Sequence, residues 1–110
     1  MYERSRNILD CHIAGFTYYD GLDVIEQLKL GTQVTLMAEP SNPHDPEAVA
    51  IYYENTKLGY VPQAKNSIVS QLLYFGYSDI IDARINNHNP EANTENQFRI
   101  VIKIKDNRKE

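Results

Sequence analysis

The sequence predicts a mainly β domain of about six strands with one or two short helices, its sheet curled into a small barrel. Three observations carry that expectation. Several short segments alternate apolar and polar side chains, the period of a strand with one buried face, and they are separated by Gly, Pro and Asn clusters. Only one segment has a clear helical stripe. A sheet of that many strands in 110 residues would expose long unpaired edges unless it closed on itself.

In chain order, "NILDCHIAGF" (7–16) sets Ile8, Leu9, Cys11 and Ile13 in a nearly alternating pattern that Gly15 ends, as a first strand would. "DGLDVIEQLKLG" (20–31) spaces Leu22, Ile25 and Leu28 by three, with acids early and Gly31 after them, the marks of a short helix or helical turn. "TQVTLMAE" (32–39) alternates around Val34 and Leu36 and reads as a strand. "AVAIYYE" and "KLGYVP" flank the turn "ENT" as a hairpin. "KNSIVSQLLYFG" (65–76) repeats Ile68, Leu72 and Phe75 beside Val69 and Leu73, a helix stripe with Asn66 or Ser67 to cap its start and Gly76 to stop it. "DIIDARINN" and "QFRIVIKIK" are strands, the second setting Phe98, Ile100, Ile102 and Ile104 against Arg99, Val101, Lys103 and Lys105. Between them "HNPEANTEN" is an exposed loop, and residues 1–6 and 106–110 read as loose polar ends.

Composition limits the function classes. The 110 residues fit one domain, and 42% hydrophobic with 24% charged residues is an ordinary globular balance. No apolar run reaches the roughly 18 to 20 residues of a membrane span, and the start lacks the apolar stretch of a secretory signal, so a cytoplasmic protein with no membrane contact is expected. One cysteine, Cys11, can form no internal disulfide, in keeping with a reducing compartment. Eleven Lys and Arg against 15 Asp and Glu give a net charge of −4, which argues against a broad phosphate-wrapping surface. A pocket for one strand end needs only local cations and survives that objection.

The loop "EPSNPHDPE" (39–47) holds Pro40, Pro43 and Pro46, each of which locks its own φ and excludes the preceding residue from helical conformation. A loop so stiffened loses little entropy on binding and aims Asn42, His44 and Asp45 in fixed directions. The plainer alternative is that Asn42 and Asp45 only close Asx turns. Eight tyrosines without a tryptophan add a second signal. Tyr18 and Tyr19, Tyr52 and Tyr53, and Tyr60 are each better explained one by one as core, yet those left exposed on a curved sheet would make a stacking platform for bases.

"AGFTYYDG" followed by the run from Leu28 to Gly76, with its EP-x-NP-x-D-x-x-A-V loop and strand, its (K)-x-GY-x-P strand and its Gly-terminated helix, resembles the HIRAN domain over about residues 12–83. The resemblance implies a single domain with an OB-like barrel. HIRAN domains occur in some helicase-like remodellers and as separate small bacterial proteins. The member in helicase-like transcription factor holds the 3′-hydroxyl end of single-stranded DNA. By motif position Asn42 and Asp45 would bond the terminal sugar, Tyr18 and His44 would flank the terminal bases, and Tyr60 and Gln63 would lie along the strand, with Thr17 and Tyr19 beside them. That member has Arg at Thr17, Tyr at His44, His at Tyr60 and Lys at Gln63, so two cationic phosphate contacts are absent. The implied partners are a DNA 3′ end and a separate helicase or nuclease. A protein-binding module using the same groove or a sheet edge is the rival reading.

No catalysis and no cofactor are expected. His12, His44 and His88 form no spaced ligand pair, a metal at His44 and Asp45 would need a distant third group, and the chain has no phosphate loop and no HExxH. Cys11 and His12 are strand neighbours that should point apart, so Cys11 reads as a small buried side chain rather than a nucleophile.

Overall fold

A computed structural model describes residues 5–89, 91 and 97–105 of the chain. Its strands are β1 (Ser5–His12), β2 (Gln33–Ala38), β3 (Val49–Tyr53), β4 (Thr56–Tyr60), β5 (Ile81–His88) and β6 (Phe98–Lys105), and its α-helix is α1 (Ser67–Tyr74). They form one antiparallel sheet in the order β1-β6-β5-β2-β3-β4. The sheet curls until its two edges meet, because Ala14, just past β1, exchanges both backbone hydrogen bonds with Tyr60 at the end of β4, at 2.8 and 2.9 Å. The result is the curled, mainly β, OB-like half-barrel that the strand pattern anticipates. Ser5 and Arg6, expected in a loose end, pair with Lys105 and Ile104 and lengthen β1. Residues 1–4 and 106–110, and most of the expected 88–96 loop, lie outside the described residues.

The alternation of β6 does what its period requires. Phe98, Ile100 and Ile102 point inward and meet Cys11 and Ile13 of the β1 segment, Ile85 of β5, Ile51 of β3 and Leu58 of β4 in one core. Phe16 closes that core against Phe98, with ring centroids 5.2 Å apart. Each such fully buried side chain contributes roughly 1.5–3 kcal/mol of transfer free energy. Cys11 is buried while His12 is not, as neighbours on a strand should be. Burial pushes the Cys11 thiol up to about 11. The expected result is that Cys11 resists a disulfide-exchange reagent at neutral pH in folded protein and reacts fully on addition of denaturant, followed by absorbance of the released chromophore.

Two elements depart from expectation. Asp20–Gln27 is helical but of the 3-10 kind, with Val24, Ile25 and then Leu28 turned to the core while Leu22 stays exposed. Three residues per turn suits apolar groups spaced by three, and the segment rests on the core at its start too, where Gly21 is buried against Phe16. In α1 only part of the expected stripe is buried. Val69 and Leu73 face the barrel, whereas Ile68 and Phe75 are more than half exposed. A helix eight residues long that rests beside β2 has room to bury only one narrow ridge, and the apolar residues next to that ridge remain outside. Gly76 does end it, with φ 89° and a Tyr77 N–H donating to the Leu72 carbonyl. Asn66 stands at the N-cap but makes no capping bond; its Nδ2 donates to Asp45 instead.

Candidate nucleic-acid interface

The proline loop runs from β2 to β3 and is tied at its neck by the Glu39 N–H donating to the Ala48 carbonyl, 2.9 Å. Inside it the Asx turns are real. Asn42 Oδ1 accepts the N–H groups of His44 (2.8 Å) and Asp45 (3.2 Å), and Asp45 Oδ1 accepts the N–H of Glu47 (2.9 Å). Asp45 Oδ2 in turn accepts the amide of Asn66, which is 3% exposed and reaches it from the start of α1 at 2.9 Å. These bonds shape the loop without exhausting its side chains. An ionised carboxylate has about four acceptor positions and an amide nitrogen two N–H groups, so Asp45 and Asn42 Nδ2 keep capacity for a ligand.

The loop is one wall of an open cleft of about 330 Å³. Asn42, His44 and Asp45 line it with Tyr19, Tyr60 and Gln63, and Ala14, Ala48, Val61 and Asn66 form its floor. Six of the eight residues expected at the site thus converge. Thr17 and Tyr18 do not line this cleft; both are exposed on the neighbouring 3-10 turn Phe16–Tyr18, with Tyr18 85% exposed. Tyr19 takes the inner position, its ring set edge-to-face on Tyr60 at 5.6 Å.

Behind the rings stands a network absent from the expected site. Glu39 Oε1 accepts the Tyr60 hydroxyl at 2.7 Å and the Asn42 amide at 3.1 Å, Glu39 Oε2 pairs with Lys57 Nζ at 3.1 Å, and Lys57 also donates to the Tyr60 oxygen at 2.6 Å. The ammonium lies 4.4 Å from the Tyr60 ring centroid and 5.0 Å from that of Tyr19. Lys57 and Tyr60 are three apart and should face opposite sides of a regular strand. The bulge opposite Ile51 and Tyr52 inserts one extra residue in β4 and shifts its phase, which brings them together. The sequence hints were the Glu before Pro40 and Lys57, which opens the K-x-GY-x-P pattern.

Burial raises the Glu39 carboxyl, but the bonds from Tyr60, Asn42 and Lys57 and the Lys57 charge outweigh it, and its pKa falls below the usual 4.5. Burial opposes the charged form of Lys57, yet the Tyr60 and Glu39 bonds hold that ammonium well above its ordinary value. A depressed carboxylate stabilises the fold fully above its unfolded pKa and loses that contribution as pH falls through the folded one. Stability in urea should therefore decline as pH drops below about 4.5, and Glu39→Gln should flatten that decline.

Among the described residues no three of His, Cys, Asp and Glu gather to hold a metal ion, and no helix is long and apolar enough to cross a membrane.

Comparison with known proteins agrees with this architecture. A crystal structure of a protein from Lactobacillus plantarum superposes with a TM-score of 0.77 at 18% identity, covering 91% of this chain and 94% of that one. The crystal structure of the HIRAN domain of human HLTF superposes with a TM-score of 0.67, also at 18% identity, over 91% of this chain and 78% of that one. At such identities the likeness is one of fold. No curated protein is similar enough to count as a match. The HIRAN domain model matches residues 7–105, from within β1 to the last residue of β6, and so takes in the end of β5 and all of β6, which lie beyond the motif resemblance at 12–83 and rested on strand pattern alone. The chain belongs to the HIRAN domain family.

Proposed function

We propose that the cleft binds the 3′-hydroxyl end of single-stranded DNA and that the domain does no chemistry itself, delivering or guarding that end for a separate helicase or nuclease in replication, repair or processing. One observation carries the reading: an acid and an amide fixed by the proline loop meet two tyrosine rings in one solvent-open cleft. A free hydroxyl donates its hydrogen to an unused Asp45 acceptor position while its oxygen accepts the second Asn42 N–H. A phosphate in the same place would meet the Asp45 carboxylate with like charge and no proton to share. Terminal bases stack on Tyr19 and His44, Tyr60 and Gln63 follow the strand, and Tyr18 on the adjacent turn reaches the next base; each stacked base contributes roughly 1–3 kcal/mol.

The Lys57 charge is already matched by Glu39, and the chain carries net charge −4, so binding is weak and depends little on salt. Fluorescence polarisation with labelled oligonucleotides ending in a 3′-hydroxyl, a 3′-phosphate or a blunt duplex tests the proposal. The first should bind best. Equal binding to all three, or none to any, would return the cleft to the rival reading, a groove for a protein segment.

A further inference from the structure

The exposed face of α1 is the largest feature that the DNA cleft leaves unexplained. Ile68, Tyr74, Phe75 and Tyr77 are each more than half exposed, and Ile68, Leu72, Phe75 and Tyr77 line one shallow groove. Tyr74 and Phe75 pack edge-to-face at 5.1 Å. From Asn66 to Ser78 there is no charged residue, in a chain that is 24% charged. An apolar surface of this extent on a small domain marks a contact.

We propose that this face is covered by a second copy of the chain, with the two α1 helices packed antiparallel about a two-fold axis. The charges that bound the uncharged stretch are opposite in sign, Lys65 at its start and Asp79 at its end. An antiparallel pair sets each Lys65 beside the Asp79 of the other copy, and a two-fold interface requires this kind of self-complementary patch. Lys65 Nζ donates one bond to the Asp10 carbonyl, 3.2 Å, and has two further N–H groups for that carboxylate. A helix of eight residues, about 12 Å long, is matched in length by its own copy. Three half-exposed aromatic rings with Ile68 and Leu72 would cover on the order of 500 Å² per copy, the size of a weak, reversible interface.

Sedimentation velocity of the full chain over about a hundredfold range of concentration tests this by mass action. A monomer–dimer equilibrium is expected. Phe75→Asp should leave a monomer with an unchanged circular dichroism spectrum. K65E and D79K should each weaken self-association by roughly tenfold or more, since each sets like charges opposite one another. An equimolar mixture of K65E and D79K should recover it, because each pairing across the axis is then attractive. A monomer at every concentration, or a dimer indifferent to Phe75→Asp, would overturn the proposal. Dimers lost in Phe75→Asp but unmoved by the charge reversals and their mixture would overturn the antiparallel arrangement.

Discussion

Replacing Asp45 by Ala should abolish the preference for a 3′-hydroxyl over a 3′-phosphate end. A hydrogen bond to a charged group contributes roughly 1.5–3 kcal/mol, about a ten- to hundredfold preference, and without the carboxylate neither that bond nor the repulsion of a phosphate remains. Loss of affinity for the hydroxyl end and a gain for the phosphate end should appear together, which general unfolding cannot produce. Asp45→Ala also removes the acceptor for Glu47 N–H and leaves the buried Asn66 amide without its partner, at a cost of about 1–3 kcal/mol in stability. Asp45→Asn is the companion variant. It keeps an acceptor for Glu47, and Asn66 can turn its amide to meet the new one, so the loop keeps its form while the charge goes. Polarisation with both oligonucleotides, beside a thermal melt of each variant, separates the two effects. Retention of end discrimination in both variants would mean that the carboxylate does not read the terminus.

Gly59→Ala should destabilise the fold by about 2–4 kcal/mol and lower its melting temperature by roughly 10 °C or more. Gly59 sits on β4 at φ 151°, and a Cβ there would run into the backbone carbonyl of Ala14 and the side chain of Ile13. Ile13 is fully buried, and Ala14 is the residue whose two hydrogen bonds with Tyr60 join the sheet edges. Neither can retreat cheaply. Gly31 provides the control, with positive φ but nothing within 4 Å of an added Cβ, so Gly31→Ala should show only the conformational cost of about 1 kcal/mol. Because Ala14 and Tyr60 also line the cleft, Gly59→Ala protein that remains folded should bind DNA ends more weakly as well. Equal melting temperatures for the two variants would show that the edge contact is not what closes the barrel.

The strands were legible in the sequence because strand period is a local property. Phe98, Ile100 and Ile102 declare an inward face wherever β6 lies, and the prolines of residues 40–46 stiffen their loop whatever surrounds it. The family motif likewise carries Asn42, Asp45 and Tyr60 at separations that only the fold gathers into one cleft, where His44 and Gln63 join them. The Asx-turn reading of the loop holds, and the Asn42 and Asp45 side chains that close its turns also line the cleft.

Tertiary structure alone decided the rest. Which of Tyr18 and Tyr19 enters the cleft depends on the turn at Phe16–Tyr18 and the position of Tyr60, to which no local pattern responds. Glu39 and Lys57 meet Tyr60 because a one-residue bulge changes the phase of β4 against β3, and a bulge is set by how two strands pair. In α1 the sequence determined a helix and its stop, but its apolar residues span more of the circumference than one contact can bury. The barrel wall chose Val69 and Leu73, and the remainder of that surface was left facing out. Local chain chemistry therefore sets what each segment can form, while the faces and partners it presents follow from packing between residues far apart in the chain.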